Sequence, residues 1–262
     1  MLVKSPSYRK ALNSNQVRLL KVIFKFRFVS IPLLSEYIGK DKSTIYEQLL
    51  VLASQDYIAK SYDSSYRLPP RPATYALAAK GIKYLRDNTD LSQSALRNMY
   101  RNKAASEPLV EQSLKTFKVC IQLRRQYPDV FDIFTKSELS QSDKFLRPLS
   151  SLWLRRKKWR EDKPYSYLLE FVDEGTYSWI LRKRIQAHEN FYDEWDENIY
   201  PYVLFVAGNA STERRIQRIL ENSFADFEFY TTTTERLATD SIKIWRQVFE
   251  DDENDKPILK VL

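Results

Sequence analysis

SIPLLSEYIGKDKSTIYEQLLVLASQDYI, residues 30–58, spells a short helix, a glycine turn and a longer helix ending in an apolar hinge. Ser30 is placed to cap the first helix, and Pro32 is tolerated in its opening turn, where no intrahelical bond is lost. Leu33, Leu34 and Ile38 form its apolar side. Gly39 supplies the left-handed backbone of the sharp turn, and Asp41 is placed as N-cap of the second helix. In that helix Ile45, Leu49 and Leu52 recur at i, i+4 and i+7, so one stripe faces a core. Lys42, Ser43, Thr44, Tyr46 and Glu47 then face outward near the N-terminal end, the end that a recognition helix presents to the major groove. Two core helices that never touch DNA carry the same stripe, so the flanking residues have to separate the two readings.

Upstream, residues 13–26 place Val17, Leu20 and Phe24 at helical spacing, a first helix that closes a three-helix unit. Downstream, Ile58-Ala59-Lys60-Ser61-Tyr62 reads as a strand, the basic and proline-rich Arg67-Leu68-Pro69-Pro70-Arg71-Pro72 as a loop tip, and Thr74-Tyr75-Ala76-Leu77 as a second strand. This is the order of a winged helix-turn-helix, with Arg67 and Arg71 on the wing. Charge follows the same division. Residues 1–105 hold 18 Lys+Arg against 7 Asp+Glu, while residues 106–262 hold 24 against 27. A basic unit beside a near-neutral one suits phosphate binding by the first, since each neutralised phosphate releases counterions.

The chain of 262 residues is long enough for two domains. No apolar run reaches the length of a membrane span, and Met1-Leu2-Val3-Lys4 lacks the apolar region of a signal peptide, so a cytoplasmic protein without a membrane partner is expected. With one cysteine, Cys120, and one histidine, His188, there is no internal disulfide and no Cys/His zinc cluster, although carboxylate-bound magnesium stays open.

Residues 1–90 read as the DNA-binding domain and residues 91–127 as a helical bridge, with Leu109, Leu114, Phe117, Cys120 and Leu123 among its apolar positions. Residues 128–250 read as a small α/β domain, so the chain as a whole is α+β or α/β. Its strands are expected at 130–134, 152–154, 165–172, 202–207 and 227–230, with helices at 176–195, 212–223 and 234–249. Residues 251–262 continue an acidic tail.

The winged-helix pattern, the segment Leu169-Glu170-Phe171-Val172-Asp173-Glu174-Gly175-Thr176 followed by Leu181-Arg182-Lys183-Arg184, the strand at 202–206 and the late Ile244-Trp245 together resemble the replication-relaxation family of bacterial plasmids and mobile elements. The resemblance implies a DNA-binding protein acting in replication, DNA relaxation or transfer, or in their regulation, whose second domain is similar to a restriction-endonuclease core. Such a core holds magnesium on carboxylates of adjacent strands, with a lysine nearby. The family's Pro-Asp pair falls here at Pro148-Leu149, and Phe171 stands where the family usually carries Glu. Two metal-ligand positions are therefore apolar, and the expectation is a non-catalytic domain that serves as scaffold or oligomerisation platform, with no cofactor and no metal.

Glu138, Glu170 and Asp173 remain as carboxylates and Lys183 or Arg184 as cations, a set that also describes ordinary ion pairs. The run Arg155-Arg156-Lys157-Lys158-Trp159-Arg160 reads as a hairpin tip, either solvated or a second nucleic-acid patch that holds phosphate and stacks on a base. Three functions remain open: a sequence-specific binder of double-stranded DNA, working alone, as a homodimer or with other plasmid replication or transfer proteins; a magnesium-dependent nuclease targeted by its winged helix; and an adaptor that has lost DNA contact.

Overall fold

A computed structural model describes residues 11–61, 72–140, 150–158, 166–193, 201–223, 229–239 and 244–248. Helix α1 (Ser14–Phe26) opens with a capping box, in which Asn13 Oδ1 accepts from Gln16 N at 2.9 Å and Gln16 Oε1 accepts from Asn13 N at 3.0 Å. It ends in a tight turn at Arg27, whose φ is 68°, with Phe28 N donating to Phe26 O at 2.7 Å. Strand β1 (Val29–Ser30) leads into α2 (Ile31–Ile38), and Gly39, at φ 74°, turns the chain into α3 (Lys42–Ser54). Open space surrounds the position of a Gly39 Cβ, so the backbone angle alone calls for glycine there.

Strands β2 (Ile58–Ser61) and β3 (Thr74–Leu77) follow, and β1, β3 and β2 form a small antiparallel sheet in that order. Helix α4 (Ala79–Asn88) packs back on it through Gly81, where a Cβ would lie 2.1 Å from the Tyr57 carbonyl oxygen. The bridge is less regular than its apolar pattern suggests. It starts as α5 (Gln93–Arg97) and a 3₁₀ segment (Asn98–Ala104), and a long helix, α6 (Glu107–Gln126), begins only at Glu107. Pro108 explains the break, since it fits the first turn of a helix and not an interior.

The second sheet has six strands in the order β4 (Phe131–Thr135), β5 (Leu152–Arg156), β6 (Ser166–Val172), β7 (Tyr202–Ala207), β8 (Phe229–Thr233) and β9 (Arg246–Gln247). Strands β4 to β6 run antiparallel; β6, β7 and β8 are parallel, joined by crossover helices α8 (Ser178–Asp193) and α9 (Ala210–Leu220). The short α7 (Lys136–Leu139) follows β4 directly. The chain is thus mixed α+β.

One expected element is overturned. Residues 234–249 do not form a single helix: α10 (Thr234–Leu237) is one turn, and Arg246 and Gln247 pair antiparallel with β8. Pairing covers part of the β8 edge, and Trp245 is buried with its Nε1 donating to Tyr127 Oη at 3.0 Å, a contact that a continuous solvent-side helix would forgo.

A single apolar core runs from α1 through α6 into the inner face of the large sheet, including Leu20, Ile45, Phe117, Leu154, Leu169, Val206 and Trp245. Phe117 of α6 stacks on Phe26 of α1 at 3.8 Å and meets Tyr37 of α2 edge-on at 5.3 Å. A second core, built from Val172, Leu181, Ile185, Val203, Phe205 and Ile216 among others, lies on the outer face under α8 and α9. Cys120 is buried in the first core, and burial pushes its thiol up to about 12.

Candidate nucleic-acid interface

Along α3, Ile45, Leu49 and Leu52 are buried, while Lys42, Ser43, Thr44, Tyr46 and Glu47 are exposed, so the helix presents the side chains expected from its spacing. Among the described residues no hydrogen bond or ion pair engages the side chains of Lys42, Ser43, Thr44 or Glu47. The Tyr46 ring is 43 % exposed and lies 5.9 Å from Lys60 Nζ of β2, which carries the cationic surface from helix to strand. Leu50 and Val51 extend the exposed face one turn further. Asp41 stands at the N-cap without making a side-chain capping bond. The opening turn of α3 therefore keeps backbone N–H groups without that acceptor, at the end of a helix that favours anions. Ser30 likewise occupies the N-cap of α2 without a side-chain cap bond. Arg67 and Arg71 lie outside the described residues; the strands that flank them are antiparallel, with Ser61 opposite Thr74.

The basic run at residues 155–160 is divided. Arg155 and Arg156 belong to β5 rather than to a tip. Arg155 pairs with Asp132 of β4 at 3.1 Å, and Arg156 is 5 % exposed, donating to Tyr167 Oη at 2.8 Å. The period-2 alternation of the strand turns Arg156 inward, where its guanidinium also lies 5.4 Å from the Phe131 ring. Lys157 and Lys158 are exposed, with Lys157 3.3 Å from Asp129; Trp159 and Arg160 lie outside the described residues.

The remaining carboxylates all carry cationic partners. Glu138 meets Lys25 at 3.1 Å, Asp173 meets Lys115 of α6 at 2.7 Å, and Glu170 meets Arg184 of α8 at 2.6 Å. Strand β6 pairs with β7 in unbroken register from Tyr167 to Val172, so Glu170 and Phe171 point to opposite faces and no bulge turns Glu170 toward Asp173. Among the described residues no group of three or more His, Cys, Asp and Glu side chains is placed to hold a metal ion.

Glu170 also faces His188 of α8, with His188 Nε2 3.3 Å from Oε1, and both residues are buried. Burial by itself would raise the Glu170 carboxyl, but the His188 hydrogen bond and the charges of Arg184, His188 and Lys136 outweigh it and hold it at about 2. A folded pKa below the unfolded value of about 4.3 gives stability that is present above that value and is lost as pH falls toward about 2. Glu170→Gln should therefore unfold at clearly lower urea than the wild type at neutral pH, and the gap should close between about pH 4.3 and about pH 2. Equal urea midpoints at neutral pH would show that the cluster contributes nothing to folding.

Spacing along the sequence gives no link between His188 and Glu170, because they sit on different elements. The available signal was a lone carboxylate inside the apolar run Leu168-Leu169-Glu170-Phe171-Val172, with Arg184 and His188 one turn apart on the following helix. Helix α9 is also less of a surface helix than its charge suggests: Glu213 is buried, accepts from Thr231 Oγ1 at 3.0 Å and pairs with Arg236.

Among the described residues no helix is long and apolar enough to cross a membrane. No family model matches the chain, and neither any curated protein nor any solved structure matches it.

Proposed function

We propose that the chain is a sequence-specific double-stranded DNA-binding protein whose first unit is a winged helix-turn-helix. The observation that carries this reading is the N-terminal half of α3, where Lys42, Ser43, Thr44 and Glu47 stand exposed and unengaged among the described residues on a helix whose opposite stripe is fully buried. A rigid helix with free polar side chains at its N-terminal end has the form that enters the major groove. The order α1, β1, α2, α3, β2, β3 supports the fold name, and the charge excess of residues 1–105 supports phosphate contact.

In this reading Lys42 neutralises phosphate, while Tyr46, Ser43, Thr44 and Glu47 meet base edges, because phosphate contacts position a protein and base contacts specify sequence. On a panel of duplexes, Lys42→Ala is expected to weaken binding to every sequence alike, and Tyr46→Ala or Ser43→Ala to change the preferred one. A Tyr46→Ala protein with both affinity and preference intact would remove α3 as the reading helix.

The second sheet acts as a scaffold. Phe171 is buried in the inner core, and among the described residues the oxygens of Glu170 are engaged by Arg184 and His188 and those of Asp173 by Lys115, which supports a non-catalytic reading. Supercoiled plasmid is expected to stay intact with the wild type and magnesium or manganese. Nicking that vanishes in a Glu170→Ala/Asp173→Ala variant would instead make the protein a nuclease. Following the family resemblance, the bound DNA is an origin or promoter of a plasmid or mobile element, and genome-wide mapping of bound sites distinguishes the two.

A further inference from the structure

We propose that the cleft between the end of α1, the 3₁₀ segment, α6 and the start of α7 is a binding site for a phosphomonoester. The cleft has a volume of about 350 Å³, and Arg27, Arg101 and Lys136 line it. Among the described residues none of these three has a carboxylate within ion-pair distance. Arg27 Nε donates to Asn102 Oδ1 at 2.7 Å and its guanidinium lies 5.7 Å from the Phe28 ring, both neutral partners. Lys25, on the same wall, is already paired with Glu138.

Two features show that the charges are held together at a cost. Burial lowers the Arg27 pKa, and the nearby positive charge of Arg101 lowers it further. The backbone at Arg27 is in the left-handed half of φ, at 68°, inside a hydrogen-bonded three-residue turn. Such a conformation is strained for a residue with a Cβ and persists where its surroundings impose it. Lys136 also lines the cleft, but the charges that act on its amine are those of Glu170 and Arg184, so it is coupled to that ion cluster rather than to the two arginines. Arg27 and Arg101, two neighbouring cations without a paired carboxylate among the described residues, form a socket for an anion with several oxygens, and guanidinium forks match phosphate in geometry.

The rest of the wall indicates what the phosphate is attached to. Ser113, Thr116 and Ser137 offer hydroxyls, and Phe26, Met99 and Leu109 give an apolar side that a bare inorganic ion would leave unused. The volume lies within the range of about 300–1,000 Å³ typical of small-ligand sites. The group recognised is thus a terminal phosphate on an organic body, carried either by a free mononucleotide-sized molecule or by the end of a nucleic-acid strand. The cleft is separate from α3, so the inference does not rest on the DNA-binding reading.

The test uses the full chain and calorimetric titration at constant ionic strength. The probes are orthophosphate, dAMP, and a single-stranded pentanucleotide with and without a 5′-phosphate. Saturable binding of dAMP assigns a free phosphorylated molecule; binding only of the 5′-phosphorylated pentanucleotide assigns a strand end. In either case Arg27→Gln/Arg101→Gln should weaken binding about tenfold or more. Arg101→Gln alone should not lower the melting temperature of the free protein, because it removes a like-charge contact, whereas a purely structural arginine would. Should the double variant fail to fold, Arg101→Gln alone, at an exposed position, replaces it with the same expected direction. The proposal is overturned if neither dAMP nor the 5′-phosphorylated pentanucleotide binds saturably, if orthophosphate binds as tightly as either, if the pentanucleotide binds equally without its phosphate, or if the folded variants bind as the wild type does. Duplex binding by these variants should be unchanged, which separates this site from the α3 interface.

Discussion

Duplex binding by the full chain is expected to fall by about 1,000-fold between about 50 mM and about 200 mM salt, the loss typical of a protein that neutralises about six phosphates. The expectation rests on charge placement. Residues 1–105 carry 18 Lys+Arg against 7 Asp+Glu, and Lys42 and Lys60 flank the exposed Tyr46 on neighbouring elements. Each phosphate contact adds close to one unit to the slope of log affinity against log salt, so Lys42→Ala should flatten the plot by about one unit while leaving sequence preference in place. The measurement is fluorescence anisotropy of a labelled duplex across a salt series. A change of less than tenfold over that range would mean that the basic unit does not lie along the backbone, and the adaptor reading would then be preferred. The whole chain is needed, because Phe26 and Tyr37 of the first unit pack against Phe117, which a fragment ending near residue 90 would lack.

That packing supplies the second large effect. Phe117 is fully buried, stacked on Phe26 and edge-on to Tyr37, while Tyr37 in turn meets Phe26 edge-on at 5.4 Å. Phe117→Ala empties the middle of this trio and should cost about 3–5 kcal/mol, as large aromatic truncations in cores do. At roughly 3 °C per kcal/mol for a chain of this size, the melting temperature should drop by about 10 °C. Because the same core continues into the large sheet through Leu154, Leu169 and Val206, hydrogen exchange should rise in β6 and β7 as well as in α1 and α2. Loosening confined to α1–α3 would show that α6 belongs to the first unit alone.

How far the fold was legible depended on whether the signal was local. Ile45, Leu49 and Leu52 fixed α3 by periodicity, Gly39 fixed the turn, and the β-branched and aromatic run of 202–207 fixed β7. Residues 234–249 misled because a helical reading of that stretch ignores the edge of β8, a partner far away in space at the time the pattern is read. The exposed side chains of α3 were legible for the same reason as its buried stripe. The cleft was not: Arg27, Arg101 and Lys136 are separated by long stretches of chain, and each is an ordinary surface cation until α1, the 3₁₀ segment and α7 bring them to one wall. The Glu170 cluster lay between these cases, visible as a misplaced charge but without its partners.

Cys120 turns α6 into a built-in clock. The thiolate is the reactive form of cysteine, and a fully buried thiol whose pKa stands at about 12 offers almost none of it to an alkylating reagent in the native protein. It is also the only sulfhydryl in the chain. Labelling therefore requires α6 to open, and at reagent concentrations where labelling outpaces reclosing its rate reads out the frequency of that opening without any engineered probe.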